Sequence, residues 1–132
     1  MASIDDLERH LTAAVTAQAQ LVLTQMQADL GSRRVSPYDT GRFRSSWFAS
    51  EGERSSAVAA ENANSPNTDA VGLRIQPGRT YYLTNSLPYA SVVAVEGRVV
   101  SQPTTWWQDW LRSRVPRIIA AAERRVRQDY RL

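Results

Sequence analysis

Residues 3–31 read SIDDLERHLTAAVTAQAQLVLTQMQADLG, and this stretch decides the fold. Ser3 followed by Asp6 is a helix N-cap with an acid at the third helical position, so each side chain can accept the other's free backbone N–H. Ile4, Leu7, Leu11, Val15, Val22, Met26 and Leu30 then recur at helical spacing, and Gly31 supplies the stop. The reading is one amphipathic helix over 3–30. Gln18, Gln20, Gln25 and Gln27 make its other face unusually rich in amides, as a solvated surface would be.

Working outward, residues 31–41 carry turn chemistry, after which Phe43, Ser45, Trp47 and Ala49 alternate with Arg44, Ser46, Phe48 and Ser50. That alternation predicts a strand over 42–50. Residues 51–68 have no period and read as a flexible loop. Two further strands are predicted over 69–76 and 79–85, with Pro77-Gly78 as the turn between them. Pro88 opens a short helix from Tyr89 to Glu96, stopped at Gly97. Thr105 with Gln108 reads as a second capping box, starting a helix that runs towards Arg131. Pro116 must kink or divide that helix, because it removes a backbone donor and crowds the preceding turn. The expected architecture is α+β: a long N-terminal helix, a small antiparallel sheet, and a C-terminal helix packed on one sheet face.

At about 100° per residue, Leu111, Val115, Ile118, Ala122 and Val126 cluster on one side of the last helix. Arg114, Arg117, Arg124, Arg125 and Arg131 spread over the other, and Trp106 and Trp110 fall with them. The two indoles therefore either reach the core through a register change near Pro116 or face another chain, since exposed Trp beside Arg is the composition of an interface hot spot.

The 132 residues suit a single domain, and with 42% hydrophobic and 22% charged residues the chain is expected to fold. With no cysteine and one histidine, His10, there is no disulfide, thiolate metal site or cysteine nucleophile, and no zinc site can be assembled. His10 lies within the first helix, away from any serine-based triad, and no carboxylate pair sits in an apolar pocket suited to acid–base work. No phosphate-cradling glycine motif occurs. The expectation is a protein that is not an enzyme, uses no cofactor or metal, and takes no small-molecule substrate. No apolar run is long enough to cross a membrane, which predicts a cytoplasmic protein without a membrane partner. All 16 basic residues are arginine, and the ends differ in sign: residues 1–30 carry −3 and residues 98–132 carry +5. Acidic and basic helices can pack on each other or on the next subunit; a basic last helix can also meet nucleic acid.

Two stretches carry a resemblance. Pro37-Tyr38-Asp39-Thr40-Gly41-Arg42-Phe43-Arg44-Ser45-Ser46-Trp47 is similar to the Asp-Thr-Gly-x-hydrophobic-Arg-x-Ser-Trp segment of a tailed-phage family, the HK-type tail components or lambda Z-like tail-completion proteins. Asn85-Ser86-Leu87-Pro88-Tyr89-Ala90, followed by Glu96-Gly97, resembles that family's Asn-x-x-Pro-Tyr-Ala segment and its acidic-Gly pair, in the right order and at the right spacing. Here Gln102-Pro103-Thr104-Thr105 leads straight into Trp106-Trp107, where the family often has Ser-x-Gln-Ala-Pro-x-Gly and an aliphatic start. The resemblance implies a structural virion protein at the head–tail junction, made in the host cytoplasm. It would be part of a homo-oligomeric ring around the DNA channel, touching the connector or stopper, the tail terminator and the tail tube, with DNA passing non-specifically through the lumen. It also implies that Asp39, Thr40 and Gly41 turn the chain into the segment bearing Arg42 and Trp47, and that Asn85, Pro88, Tyr89 and Glu96 shape the loop and short helix. Trp106, Trp110, Arg117, Arg124 and Arg125 complete the candidate contact residues. A tail terminator, a head–tail adaptor and a basic nucleic-acid-binding module stand as alternatives.

Overall fold

The computed structural model describes residues 3–32, 34–36, 41–94 and 105–132. Helix α1 spans Ile4–Leu30 and opens with the expected capping box, Ser3 Oγ accepting from the Asp6 N–H at 3.1 Å and Asp6 Oδ2 accepting from the Ser3 N–H at 3.3 Å. Gly31 ends it in a right-handed conformation. The reason for glycine there is close approach, because a Cβ would lie 2.6 Å from Pro66 Cβ.

The predicted 42–50 strand divides. Gly41, at φ 92°, launches a single helical turn, α2 (Arg42–Ser45), and only Trp47–Glu51 is strand β1. Phe43 and Trp47 are four residues apart, a spacing that suits a helical turn as well as a strand, and side-chain bonding decides for the turn. Ser46 Oγ donates to the Arg42 carbonyl, and Asn85 Nδ2 donates to the Phe43 carbonyl. β1 pairs antiparallel with β2 (Tyr81–Asn85), in a register from Trp47 opposite Asn85 to Glu51 opposite Tyr81.

The expected third strand over 69–76 does not form. Residues Asp69–Gly72 instead make a 3-10 turn beside β1, and the amide face of α1 explains why. Gln27 Nε2 donates to the Trp47 carbonyl and to Asp69 Oδ1, Gln27 Oε1 accepts from the Ala70 N–H, and Gln20 Nε2 donates to the Ala70 carbonyl. Asp69 Oδ1 also accepts from the Ala49 N–H. The Gly52 N–H pairs towards β2, at the Thr80 carbonyl, so by strand parity Trp47 and Ala49 present their backbone groups to the opposite edge. Gln27 and Asp69 thus occupy the place of a missing strand. The glutamine face expected to be solvated holds the sheet edge at Gln27, which is buried.

Of the expected 51–68 loop, Glu51 closes β1, while 52–68 are irregular yet tied down. Arg42 Nε donates to the Ala59 carbonyl, the Ala59 N–H donates to Ser46 Oγ, and Arg44 reaches the Asn64 carbonyl and side chain. After β2 comes α3 (Ala90–Ala94). The last helical segment runs through α4 (Trp106–Asp109), one π turn (Trp110–Arg114) and α5 (Val115–Asp129). Thr105 makes no capping bond to the backbone; its hydroxyl donates to Asp109 instead.

α5 lies along α1, not on a sheet face: Ile118, Ala122 and Val126 are buried, and Asp29 is bonded to Arg114 while His10 is bonded to the Tyr130 carbonyl. The two helices are therefore antiparallel. Only the start of the segment meets the sheet, through its tryptophans. The core gathers Leu30, Val35, Phe43, Trp47, Leu87, Trp106 and Trp110, with Met26, Leu83 and Trp107 against them. No helix of the described residues is long and apolar enough to cross a membrane.

Replacing Gln27 with Leu leaves the Ala70 N–H and the Trp47 carbonyl without their partner, and buried unsatisfied groups cost about 1–3 kcal/mol each. Urea unfolding of Gln27→Leu is expected to show a loss of about 3 kcal/mol at unchanged m-value. A loss below about 1 kcal/mol would mean that the amide is not what closes the sheet edge.

Candidate functional site

The two resemblance motifs lie 42 positions apart at Phe43 and Asn85, and the fold brings them together. Asn85 Nδ2 donates to the Phe43 carbonyl at 2.9 Å, while Asn85 Oδ1 accepts from the Leu87 N–H at 3.3 Å, the Asx turn that its place before Leu-Pro predicts. Trp47 is the strand partner of Asn85, and Leu87 packs in the same core. Arg44 is buried and donates to the Gly31 carbonyl at 2.9 Å, which links this junction to the end of α1. At Gly41 the left-handed φ favours glycine, and a Cβ would run into the Asn64 side chain.

Pro88 and Tyr89 stand exposed at the start of α3. Asp39, Thr40, Glu96 and Gly97 lie outside the described residues, as does the 102–104 stretch where the sequence departs from the family pattern.

Trp106 and Trp110 are core residues, about 4% and 3% exposed. The π turn explains how they reach the core. One extra residue in a turn rotates the residues before it by about 100° relative to those after it. Trp110 and Trp106 thereby swing onto the side of Ile118 and Ala122, while Leu111 swings outward and is exposed. The register change expected near Pro116 sits immediately before it, where the loosened turn relieves the clash of the proline ring with the preceding carbonyls. Trp107 stacks between Trp47 and Trp110, with ring centroids 5.7 and 5.4 Å apart, and Trp106 Nε1 donates to the Val93 carbonyl.

The seam between α1 and the last helix is electrostatic at one end. Asp29, nearly buried, accepts from Arg114 Nε and Nη2 at 2.6 Å each and from Trp110 Nε1 at 2.8 Å. Burial by itself would raise the Asp29 carboxyl. The hydrogen bonds from Arg114 and Trp110 and the guanidinium charge outweigh it, holding the group below the ordinary aspartate range. Asp29, Arg114 and Trp107 are absent from the residues that the sequence singles out for contact. Asp29 carries a signal nonetheless, since an acid in the last turn of a helix opposes the helix dipole and calls for a cationic partner.

At this pair the seam opens into a groove of about 390 Å³ that Asp29 and Arg114 themselves line, with Leu21, Ile118, Ala121 and Ala122 on its floor and Arg117 and Arg125 beside it. Arg125 contacts Asp129 at 3.1 Å, and Arg127 pairs with Glu123. Arg117 and Arg124 are exposed and have no ion pair among the described residues. Among those residues no cluster of three or more His, Cys, Asp or Glu side chains is arranged to hold a metal ion.

Comparisons of the chain with family models, with curated proteins and with solved structures found no match.

A carboxyl with a lowered folded-state value stabilises fully above its unfolded value and loses that contribution as pH falls through the folded one. Asp29→Asn is expected to cost about 2 kcal/mol at neutral pH, the scale of hydrogen bonds to charged groups. It should also flatten the fall in stability below about pH 4. A variant with the same acid limb as the parent chain would assign that limb to other carboxylates.

Proposed function

We propose that this chain is a structural virion protein of a tailed bacteriophage, a tail-completion or neck component that joins the tail to the head connector within a ring around the DNA channel. The observation that carries the reading is the closure of its two family-like motifs on each other through Asn85, Phe43 and Trp47. Segments that resemble one family at two separated places, and that form one structural junction, are more specific together than either alone.

The physical character of the surface supports an assembly role. Ile4, Leu7, Leu11 and Val15 continue the apolar stripe of α1, yet all four are exposed. Solvent-facing apolar stripes of this kind mark surfaces that other chains cover. Phe43, Arg44, Trp47, Asn85 and Leu87 of the motifs act as internal braces, so contacts in the proposed ring fall to helix faces.

Nucleic-acid binding through the last helix is the weaker reading. Arg114 is already committed to the buried Asp29 by two hydrogen bonds, which removes it from phosphate contact. Inactivating the gene in the phage that encodes it is expected to leave filled heads and finished tails unjoined in negative-stain images of lysates, and added purified protein should restore joining. Normal joined particles from the inactivated gene would overturn the proposal.

A further inference from the structure

α1 carries two unpartnered features of opposite character, one at each end. Its first turns bear Ile4, Leu7 and Leu11 on one stripe, with Ile4 about 84% exposed, and Asp5 and Glu8 beside it. His10 is bonded to the backbone of Tyr130, just past the end of α5, so in the antiparallel pair Ile4 to Glu8 project beyond α5. No described residue ion-pairs with Asp5 or Glu8, whereas Asp6 is bound to Ser3 and Arg9. The result is an amphipathic ridge, apolar along one line and acidic next to it.

The other feature is the groove between α1 and α5. Its floor is apolar, the Asp29–Arg114 pair and Gln25 line one end, and its flanks carry Arg117 and Arg125, the latter in a solvent-exposed contact with Asp129 that an incoming carboxylate can replace. A phosphate backbone would use the arginines and leave the floor wet. An apolar helix edge bordered by carboxylates satisfies both.

We propose that the ridge, residues 4–11, of one copy seats in the α1–α5 groove of a second copy, with Asp5 and Glu8 meeting Arg117 and Arg125. The inference rests on the proposed assembly role and specifies its interface. Ridge and groove are about 20–30 Å apart along α1 at 1.5 Å per residue, so a copy cannot use one surface for both roles. The contact is head-to-tail: each copy gives its ridge to one neighbour and its groove to the other. Such contacts close into a ring when their rotation divides a full turn, and otherwise extend as a filament.

Charge reversal tests this with a built-in control for folding. One variant carries Arg117→Glu and Arg125→Glu; another carries Asp5→Arg and Glu8→Arg. Each alone sets like charges against each other at every contact, and its self-association in sedimentation equilibrium should weaken by about tenfold or more. Mixed in equal amounts the two are complementary at every contact, the acidic ridge of the first meeting the native groove of the second and the basic ridge of the second meeting the reversed groove of the first. The mixture should therefore regain association through alternating copies, closing into the parent ring where its copy number is even. Circular dichroism should match the parent in both, and Ile4→Ser with Leu7→Ser should weaken association without any charge change.

Association unaffected by either reversal would overturn this interface while leaving the ring reading standing. A mixture that stays dissociated although both variants are folded would overturn it too. A parent chain that is monomeric unless duplex DNA is added would also overturn it, and the head–tail joining experiment would then judge the neck reading independently.

Discussion

A buried carboxylate near the C-terminal end of a long helix governs this structure. Asp29 sits where the dipole of α1 disfavours negative charge, and it is nearly withdrawn from water. It is tolerable only because Arg114 grips both oxygens and Trp110 adds an indole N–H. That requirement fixes the last helical segment against α1 at one register. It also aims Trp110 inward, and with it the stack of Trp107 and Trp47 that reaches the sheet. Two residues earlier, Gln27 closes the open edge of β1, so a single turn of α1 organises both the helix pair and the sheet.

This dependence explains which parts of the fold are legible in the sequence. The long first helix is, because capping and apolar spacing are local signals that its own residues satisfy. So is the turn at Asn85, where an Asx side chain bonds two residues on. The 69–76 segment misleads because alternation of Val71, Leu73 and Ile75 says nothing of the Gln27 amide, forty-odd residues away, that takes the backbone of Ala70 first. The 42–45 turn misleads because Phe43 and Trp47 fit two periods, and the arbiter, Asn85, is distant in sequence. The last helix is legible only in part, since Pro116 announces a change of register without saying which residues it turns inward. Regular 100° counting cannot anticipate a π turn, and that turn exchanges the places of Trp110 and Leu111 relative to the core.

The same contrast holds for function. The tryptophans that by composition resemble contact hot spots, Trp106 and Trp110, are spent on the core. The surfaces left over are a plain apolar stripe whose spacing reads as core and an arginine-flanked groove that exists only once two helices are paired. In a small chain, the aromatic residues are needed to build the interior, and the proposed assembly contacts are left to aliphatic and charged helix faces. In the proposed tail-completion role, such faces would stay bare until neighbouring copies cover them.

Native-state hydrogen exchange tests most directly whether the Asp29 cluster binds the chain into one cooperative unit. The account predicts that amides in the last two turns of α1 and in 115–126 of α5 exchange through the same opening, with equal free energies and equal denaturant dependence. Amides of α5 exchanging through a separate opening of much lower free energy, while the end of α1 stays protected, would contradict it.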